Sequence, residues 1–305
     1  MGAFDHFSPI EGCPLALAPD LALVLAPNPS PMTYLGTNTF LLGQETLAII
    51  DPGPDDPIHL QALLQAIKGR PVSHIFVTHS HLDHSPMARS LSDQTHAPIF
   101  AFGDSTAGRS KMMVRLAQEG LVGGGEGVDR DFQPDYLLGD GQTVIAEWGE
   151  IVALHTPGHM GNHLCFKWRD VIFSGDHVMG WASSLVSPPD GDLTDFMASC
   201  SKLQALDTKA FYPAHGAPVT DPKTRLAWLV GHRQNRENQI LATLAKHPKT
   251  TQNLTNEIYK DTPISLRAAA ERNVFAHLVD LLQRKKIVVQ GPLAIDALFY
   301  KTEAK

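Results

Sequence analysis

Cysteine is scarce. Cys13, Cys165 and Cys200 are the only three in 305 residues, widely spaced and odd in number. They leave no disulfide framework and no Cys-rich zinc pattern, and they fit a reducing compartment. Cations are outnumbered too: 25 Lys and Arg face 32 Asp and Glu, a formal charge of −7. That balance argues against a general nucleic-acid binder but leaves room for a local basic patch. No apolar run approaches the length of a membrane span. Residues 1–12 carry acids and a proline where an export signal would have a basic start and an apolar stretch, and they are too acidic and Arg-poor for a transit peptide. The expected location is the cytoplasm. Internal repeats and low-complexity tracts are also missing. What remains, 43% hydrophobic and 19% charged, is an ordinary globular balance, long enough for one large domain or two.

Strand and helix signals alternate. Residues 21–26, 38–42 and 46–51 read as strands, with Gly43-Gln44 as a tight connection. Over 55–68, Leu60, Leu63, Leu64 and Ile67 fall on one helical face, and Gly69 and Pro71 end the run. Further strands are expected at 75–77, 97–102, 143–148, 151–155, 163–168, 171–174 and 211–212, and helices from 86, over 193–206 and over 222–246. This alternation predicts a layered α/β fold. Residues 103–141 are less regular. Arg109, Lys111 and Arg115 fall on a helical stretch, followed by Gly120 and Gly123-Gly124-Gly125. This is either a mobile flap offering cations to an anionic substrate or a solvated surface excursion. Composition changes after Pro248. Two helical patterns (254–259, 266–282) and two β-like runs (287–290, 297–300) make a winged-helix outline. The expected organisation is a catalytic domain over 1–221, a linking helix over 222–248 and a winged-helix-like domain over 249–305.

Directly after the apolar run Ile75-Phe76-Val77 comes Thr78-His79-Ser80-His81-Leu82-Asp83-His84. A strand that ends in such a turn can aim four ligands at one point, imidazoles and a hard carboxylate oxygen among them. On its own it could be a His-rich polar loop. Matching partners lie downstream: His159 in Thr156-Pro157-Gly158-His159, Asp176 in Ser174-Gly175-Asp176-His177, and His215 in Pro213-Ala214-His215-Gly216. Each sits in a Gly- or Pro-bearing turn at a strand end, where layered α/β folds carry function.

Through His-x-His-x-Asp-His and these three partners, residues 20–220 resemble the metallo-β-lactamase superfamily. The resemblance implies an αββα sandwich with two metals at one edge. His79, His81 and His159 would hold the first metal, Asp83, His84 and His215 the second, and Asp176 would bridge them. Asp51, ending Ile49-Ile50-Asp51-Pro52-Gly53, matches the aspartate that supports the ligands from behind. The mixed nitrogen and oxygen set suits two zinc ions best, with iron or manganese as alternatives. Such a pair would supply a bridging hydroxide near neutral pH, and Asp83 would orient it or return a proton to the leaving group.

Asp176 argues against those β-lactamases of the superfamily that place a cysteine at the equivalent position. The turns at Thr156–His159 and Ser174–Asp176 resemble the glyoxalase II-like branch. The helix bearing Gly231-His232-Arg233, Arg236-Glu237 and Gln239-Ile240-Leu241, with the winged-helix outline behind it, resembles the β-lactamase-like-protein group. One animal member of that group is a mitochondrial endoribonuclease for single-stranded RNA. Two functions are therefore expected in order. The first is hydrolysis of a small ester or thioester metabolite, with the C-terminal domain as a cap. The second is phosphodiester cleavage in RNA, with Arg284-Lys285-Lys286 as a backbone clamp, although those cations also suit a helix C-terminus. A non-catalytic nucleic-acid-binding regulator fits less well, because all seven ligand positions are intact. Arg233 and Arg236 either face the cleft or form ion pairs. His177 either supports Asp176 or lines the cleft, His163 reads as a strand-edge residue, residues 34–39 are a candidate wall, and Ser183, Ser184 and Ser187 are candidate substrate contacts.

Overall fold

The computed structural model describes residues 7–124 and 127–302, so Gly125 of the glycine run lies outside the described residues. Seven strands form one sheet in chain order: β1 (Leu15–Ala18), β2 (Leu21–Leu25), β3 (Asn38–Leu42), β4 (Leu47–Ile50), β5 (Val72–Phe76), β6 (Ile99–Ala101) and β7 (Tyr136–Leu137). Five form the second, in the order β12-β11-β10-β9-β8: β8 (Thr143–Ala146), β9 (Gly149–His155), β10 (Leu164–Trp168), β11 (Val171–Gly175) and β12 (Ala210–Pro213). Phe40, Phe76, Phe166, Phe173 and Tyr212 fill the space between the sheets.

Helices cover the outer faces. α1 (Pro57–Ile67) and α2 (Met87–Thr95) lay Leu63, Ala66, Met87 and Leu91 on Ile49 and Ile75 of the first sheet. α4 (Leu193–Gln204) and α5 (Pro222–Leu244) lay Phe196, Cys200, Leu226 and Leu229 on Cys165, Ile172 and Phe211 of the second. The layering is the expected αββα sandwich. β4 is apolar along its whole length because both of its faces are covered. Helix starts are set by Asp56, Asp192 and Asp221, whose carboxylates accept from backbone N–H groups of the first turn.

β1 and β7 escape a reading of the sequence. The first is a half-exposed edge strand and the second only two residues long, so neither carries an apolar alternation. The helical stretch after 103 is α3 (Lys111–Gln118), and Arg109 precedes it rather than lying on it. Met113 and Leu116 of α3 join the core of the C-terminal part. There they meet Ile240 and Leu244 of α5, Leu254 of α6 (Thr251–Ile258) and Phe275 and Leu278 of α7 (Ile264–Gln283). Phe299 of the ribbon β13 (Ile287–Gln290) and β14 (Leu298–Lys301) closes this core.

The topology explains why the ligands meet. β4 runs parallel to β5 and β11 parallel to β12, while β9 and β11 each run antiparallel to β10. The turns carrying Asp51, His79–His84, His159, Asp176 and His215 all follow the C-terminal ends of these strands. Asn38, where β3 enters at the same edge, ties the two sheets together. Its backbone N–H donates to Ala214 O at 2.7 Å, and its side-chain amide donates to Pro213 O at 3.0 Å and Gly216 O at 2.9 Å. Asn38→Ala leaves those two buried carbonyls without a donor. It is expected to destabilise the fold by about 1–3 kcal/mol in urea titrations, with an unchanged denaturant slope.

Candidate metal centre

The turn after β5 begins with Thr78, whose backbone N–H and hydroxyl both donate to the Asp51 carboxylate, at 2.7 and 2.8 Å. The second of those oxygens also lies 3.1 Å from His84 Nδ1. Asp51 itself has φ +50°, a left-handed conformation that aspartate tolerates better than most residues. One carboxylate thus fixes both ends of the ligand turn.

Two groups of donor atoms converge. His81 Nδ1 lies 3.0 Å from His79 Nε2 and 3.0 Å from His159 Nε2. One imidazole nitrogen offers a single proton or a single lone pair, so His81 Nδ1 cannot satisfy both neighbours. Three nitrogens around one tetrahedral zinc, at bonds of about 2.0–2.1 Å, stand about 3.3 Å apart. In the second group, His215 Nε2 is 3.2 Å from Asp83 Oδ2 and 3.3 Å from Asp176 Oδ1, and His84 Nε2 is 3.3 Å from Asp83 Oδ2. Asp176 turns its other oxygen to His159 Nε2 at 3.6 Å, so it faces both groups. All of these residues are buried. Asp83 Oδ1 and Oδ2, Asp176 Oδ1, His84 Nε2 and His215 Nε2 find no hydrogen-bond partner. Buried polar atoms without partners are costly, and this mixed imidazole and carboxylate set fits a pair of divalent cations.

The electrostatics agree. Burial opposes charge on His84, but Asp83, Asp176 and Asp51 outweigh it and hold its pKa well above the ordinary value. Burial is likewise overcome at His215, where Asp176 and Asp83 raise the pKa to about 10. In the first group burial, reinforced by His159, pushes His81 down to about 3, and burial and the neighbouring imidazoles lower His79. A divalent cation held by neutral imidazoles would supply the positive charge that these carboxylates draw to His84 and His215. The far ring nitrogens are anchored: His159 Nδ1 on Leu185 O at 2.6 Å, His215 Nδ1 on Gly36 O at 3.0 Å, and His79 Nδ1 near Thr78 Oγ1 at 3.0 Å. Such partners fix ring orientation and tautomer. Gly158 has φ +143°, and a Cβ there would meet the Phe196 backbone at 2.3 Å, so His159 is delivered by a turn only glycine can make.

A cavity of about 210 Å³ opens on His81, Asp83, His159 and Asp176. One wall is Pro31, Met32, Met179, Trp181 and Leu185, and the other is Tyr259, Leu266, Ala269, Ala270 and Asn273 of the C-terminal part. No Lys or Arg lines it among the described residues.

The neighbouring expectations sort as follows. Arg109 pairs with Asp190 at 2.7 Å and Arg115 with Glu119 at 2.8 Å, so neither offers a free cation to the cleft. Arg233 is buried, donating to Asn273 Oδ1 and Ser184 O, and Arg236 lies over the Tyr259 ring and donates to Gln239. Glu237, a candidate partner for Arg236, pairs with Arg284 instead. Ser183 lines the cleft, whereas the Ser184 hydroxyl donates to His177 O and Ser187 Oγ accepts from Gly124 N–H. His177 packs behind the site on Phe196 and near Cys200. His163 does more than edge a strand: its Nε2 accepts the Asp176 backbone N–H at 3.3 Å. Tyr34 stacks on Trp181 at 5.0 Å, while the wall itself is Pro31 and Met32. Asn273 and the Leu185 carbonyl are contributions that no motif announces.

Residues 32–215 match the metallo-beta-lactamase superfamily, and residues 250–292 match the beta-lactamase associated winged helix domain. The chain is similar to the beta-lactamase-like protein 2 homolog of Caenorhabditis elegans, 29% identical over 96% of this chain and 92% of that one. It is similar to an atrochrysone carboxyl ACP thioesterase of Aspergillus fumigatus, 30% identical over 75% of this chain and 66% of that one. A metallo-beta-lactamase family protein from Thermus thermophilus superposes with a TM-score of 0.76 at 25% identity, over 94% of this chain and 100% of that one. A beta-lactamase domain protein from Burkholderia ambifaria shares the fold with a TM-score of 0.80 at 22% identity, over 98% and 96%. Sheets, ligand clusters and relatives together define a metal-dependent hydrolase. The chain belongs to the metallo-beta-lactamase superfamily and carries the associated winged-helix domain.

Asp51→Ala removes the carboxylate behind Thr78 and His84 while sparing every converging donor. It is expected to weaken metal retention about 10- to 100-fold against a competing chelator, with an unchanged far-UV spectrum.

Proposed function

We propose a dinuclear zinc hydrolase of a small thioester or ester, in which His79, His81 and His159 hold one ion, Asp83, His84 and His215 the other, and Asp176 bridges them. The observation that carries the substrate class is the cleft, a largely apolar cavity that no Lys or Arg lines among the described residues and that opens directly on the candidate ligands. When bound, the ions lower the pKa of water and polarise a carbonyl. The chain's own residues do the rest. Met179, Trp181, Leu185 and Leu266 exclude water and hold an apolar acyl group beside Asp83. Asp83 has two buried oxygens without hydrogen-bond partners, so it can orient a nucleophile and carry a proton to the leaving group. The thioesterase named among the relatives supports the thioester over other esters.

RNA cleavage has less support. A phosphate backbone needs cations along its path. Arg284 is engaged by Glu237 and Asp280 at 2.6 Å each. It also follows Asn273 by 11 residues on α7, about 16 Å further from the cleft at 1.5 Å per residue.

Parallel assays of an acyl thioester, a lactone, a phosphodiester and single-stranded RNA test the proposal. Thioester turnover should dominate and fall at least about 100-fold in Asp83→Ala. Turnover of RNA alone would falsify the thioester reading. Ala269→Phe, which narrows the apolar wall, should raise KM for long acyl groups about tenfold and leave short ones nearly unchanged, a difference of about 1.4 kcal/mol.

A further inference from the structure

The four metal-facing rings with an anchored far nitrogen differ in what holds the anchor. His84 leans on Asp51, His79 on Thr78 and His215 on Gly36, all within the sandwich. His159 leans on Leu185 O, in the loop between β11 and α4. That loop is held by side chains of α5 and α7. Arg233 of α5, 2% exposed, donates to Ser184 O and, at 2.8 Å, to Asn273 Oδ1. Asn273 of α7 takes the Val186 N–H on the same oxygen at 3.1 Å. Its amide donates to Ala269 O at 3.2 Å, which fixes which end is oxygen. The residues on both sides of Leu185 are therefore clamped by α5 and α7.

We propose that Arg233 and Asn273 are positioning residues for the His79, His81 and His159 group: they hold residues 184–186 so that the Leu185 carbonyl keeps the His159 ring, and its Nε2, aimed at the ion. Through Asn273, the winged-helix domain then supports the metal site as well as walling the cleft. The inference rests on the metal reading above but not on the substrate. Arg233 is kept buried by the same contacts. Its bonds go to a carbonyl and an amide, with its guanidinium 5.1 Å from the centre of the Phe196 ring.

Metal binding by the full chain tests this, with cobalt(II) as the probe. Its absorption spectrum reports each site, and a competing chelator gives the affinities. Asn273→Ala should weaken binding at the three-imidazole site about 10- to 100-fold and leave the Asp83, His84 and His215 site within about twofold. Asn273→Asp keeps an oxygen for both donors and should restore the affinity. Val274→Ala loosens the same helix in its buried core without touching the loop and should bind like the unaltered chain. An unaltered chain that takes up no cobalt overturns the metal reading itself. Two equivalents in the unaltered chain, with Asn273→Ala matching it at both sites, overturn the positioning role alone. Equal loss in Val274→Ala overturns it too, by tracing the effect to general loosening of α7.

Discussion

Five imidazoles and two carboxylates buried in one place are a liability before they are a site. Each group loses its hydration, and the Asp83 and Asp176 carboxylates face His84 and His215, with His159 also near Asp176. Isolated buried charge costs several kcal/mol per ion, so this cluster is stable only with compensating positive charge, from protons or from cations. The rest of the molecule serves that requirement. Parallel strands bring five turns to one edge, and Asp51 braces the longest of them. Asn38 ties the edge of one sheet to the His215 turn of the other.

The same edge has to admit a substrate while excluding bulk water, and the sandwich supplies only one of the two walls. The other comes from the N-terminal turns of α7 and from Tyr259 at the end of α6. Without them the ligands would face open solvent, where the electrostatic advantage of a dry site is lost. The C-terminal domain is therefore part of the cleft, and its core even takes in Met113 and Leu116 from the middle of the chain. Its basic cluster lies at the far end of α7, already neutralised in part by Glu237 and Asp280.

The converging histidines and carboxylates were legible because they are local. His159, Asp176 and His215 sit within a few residues of a strand end, in turns marked by Gly or Pro, and the spacing inside His79–His84 is written in one hexapeptide. The sheets were legible where strands are apolar throughout, as in β4, and not where an edge strand is short and half-exposed, as in β1 and β7. The cleft was not legible, because its walls come from residues as distant in sequence as Met32 and Leu266. Arg233 carried an unread signal. Leu226, Leu229, Arg233 and Ile240 recur at 3-, 4- and 7-residue steps along the buried stripe of α5, and a cation on such a stripe must find carbonyl or carboxylate partners inside the protein.

Asn273 joins these threads. It lines the cleft and also receives the Val186 N–H beside the carbonyl that holds His159. α7 therefore reaches both the cleft and the loop that holds His159, whereas the ring of His215 is anchored on Gly36, within the sandwich. The two groups are thus unequal in their mechanical surroundings though similar in their donors. One is held by the scaffold alone. The other is held jointly by the scaffold and by α7, the helix that also walls the cleft with Ala269 and Ala270, so the shape of that wall and the placing of His159 depend on one element.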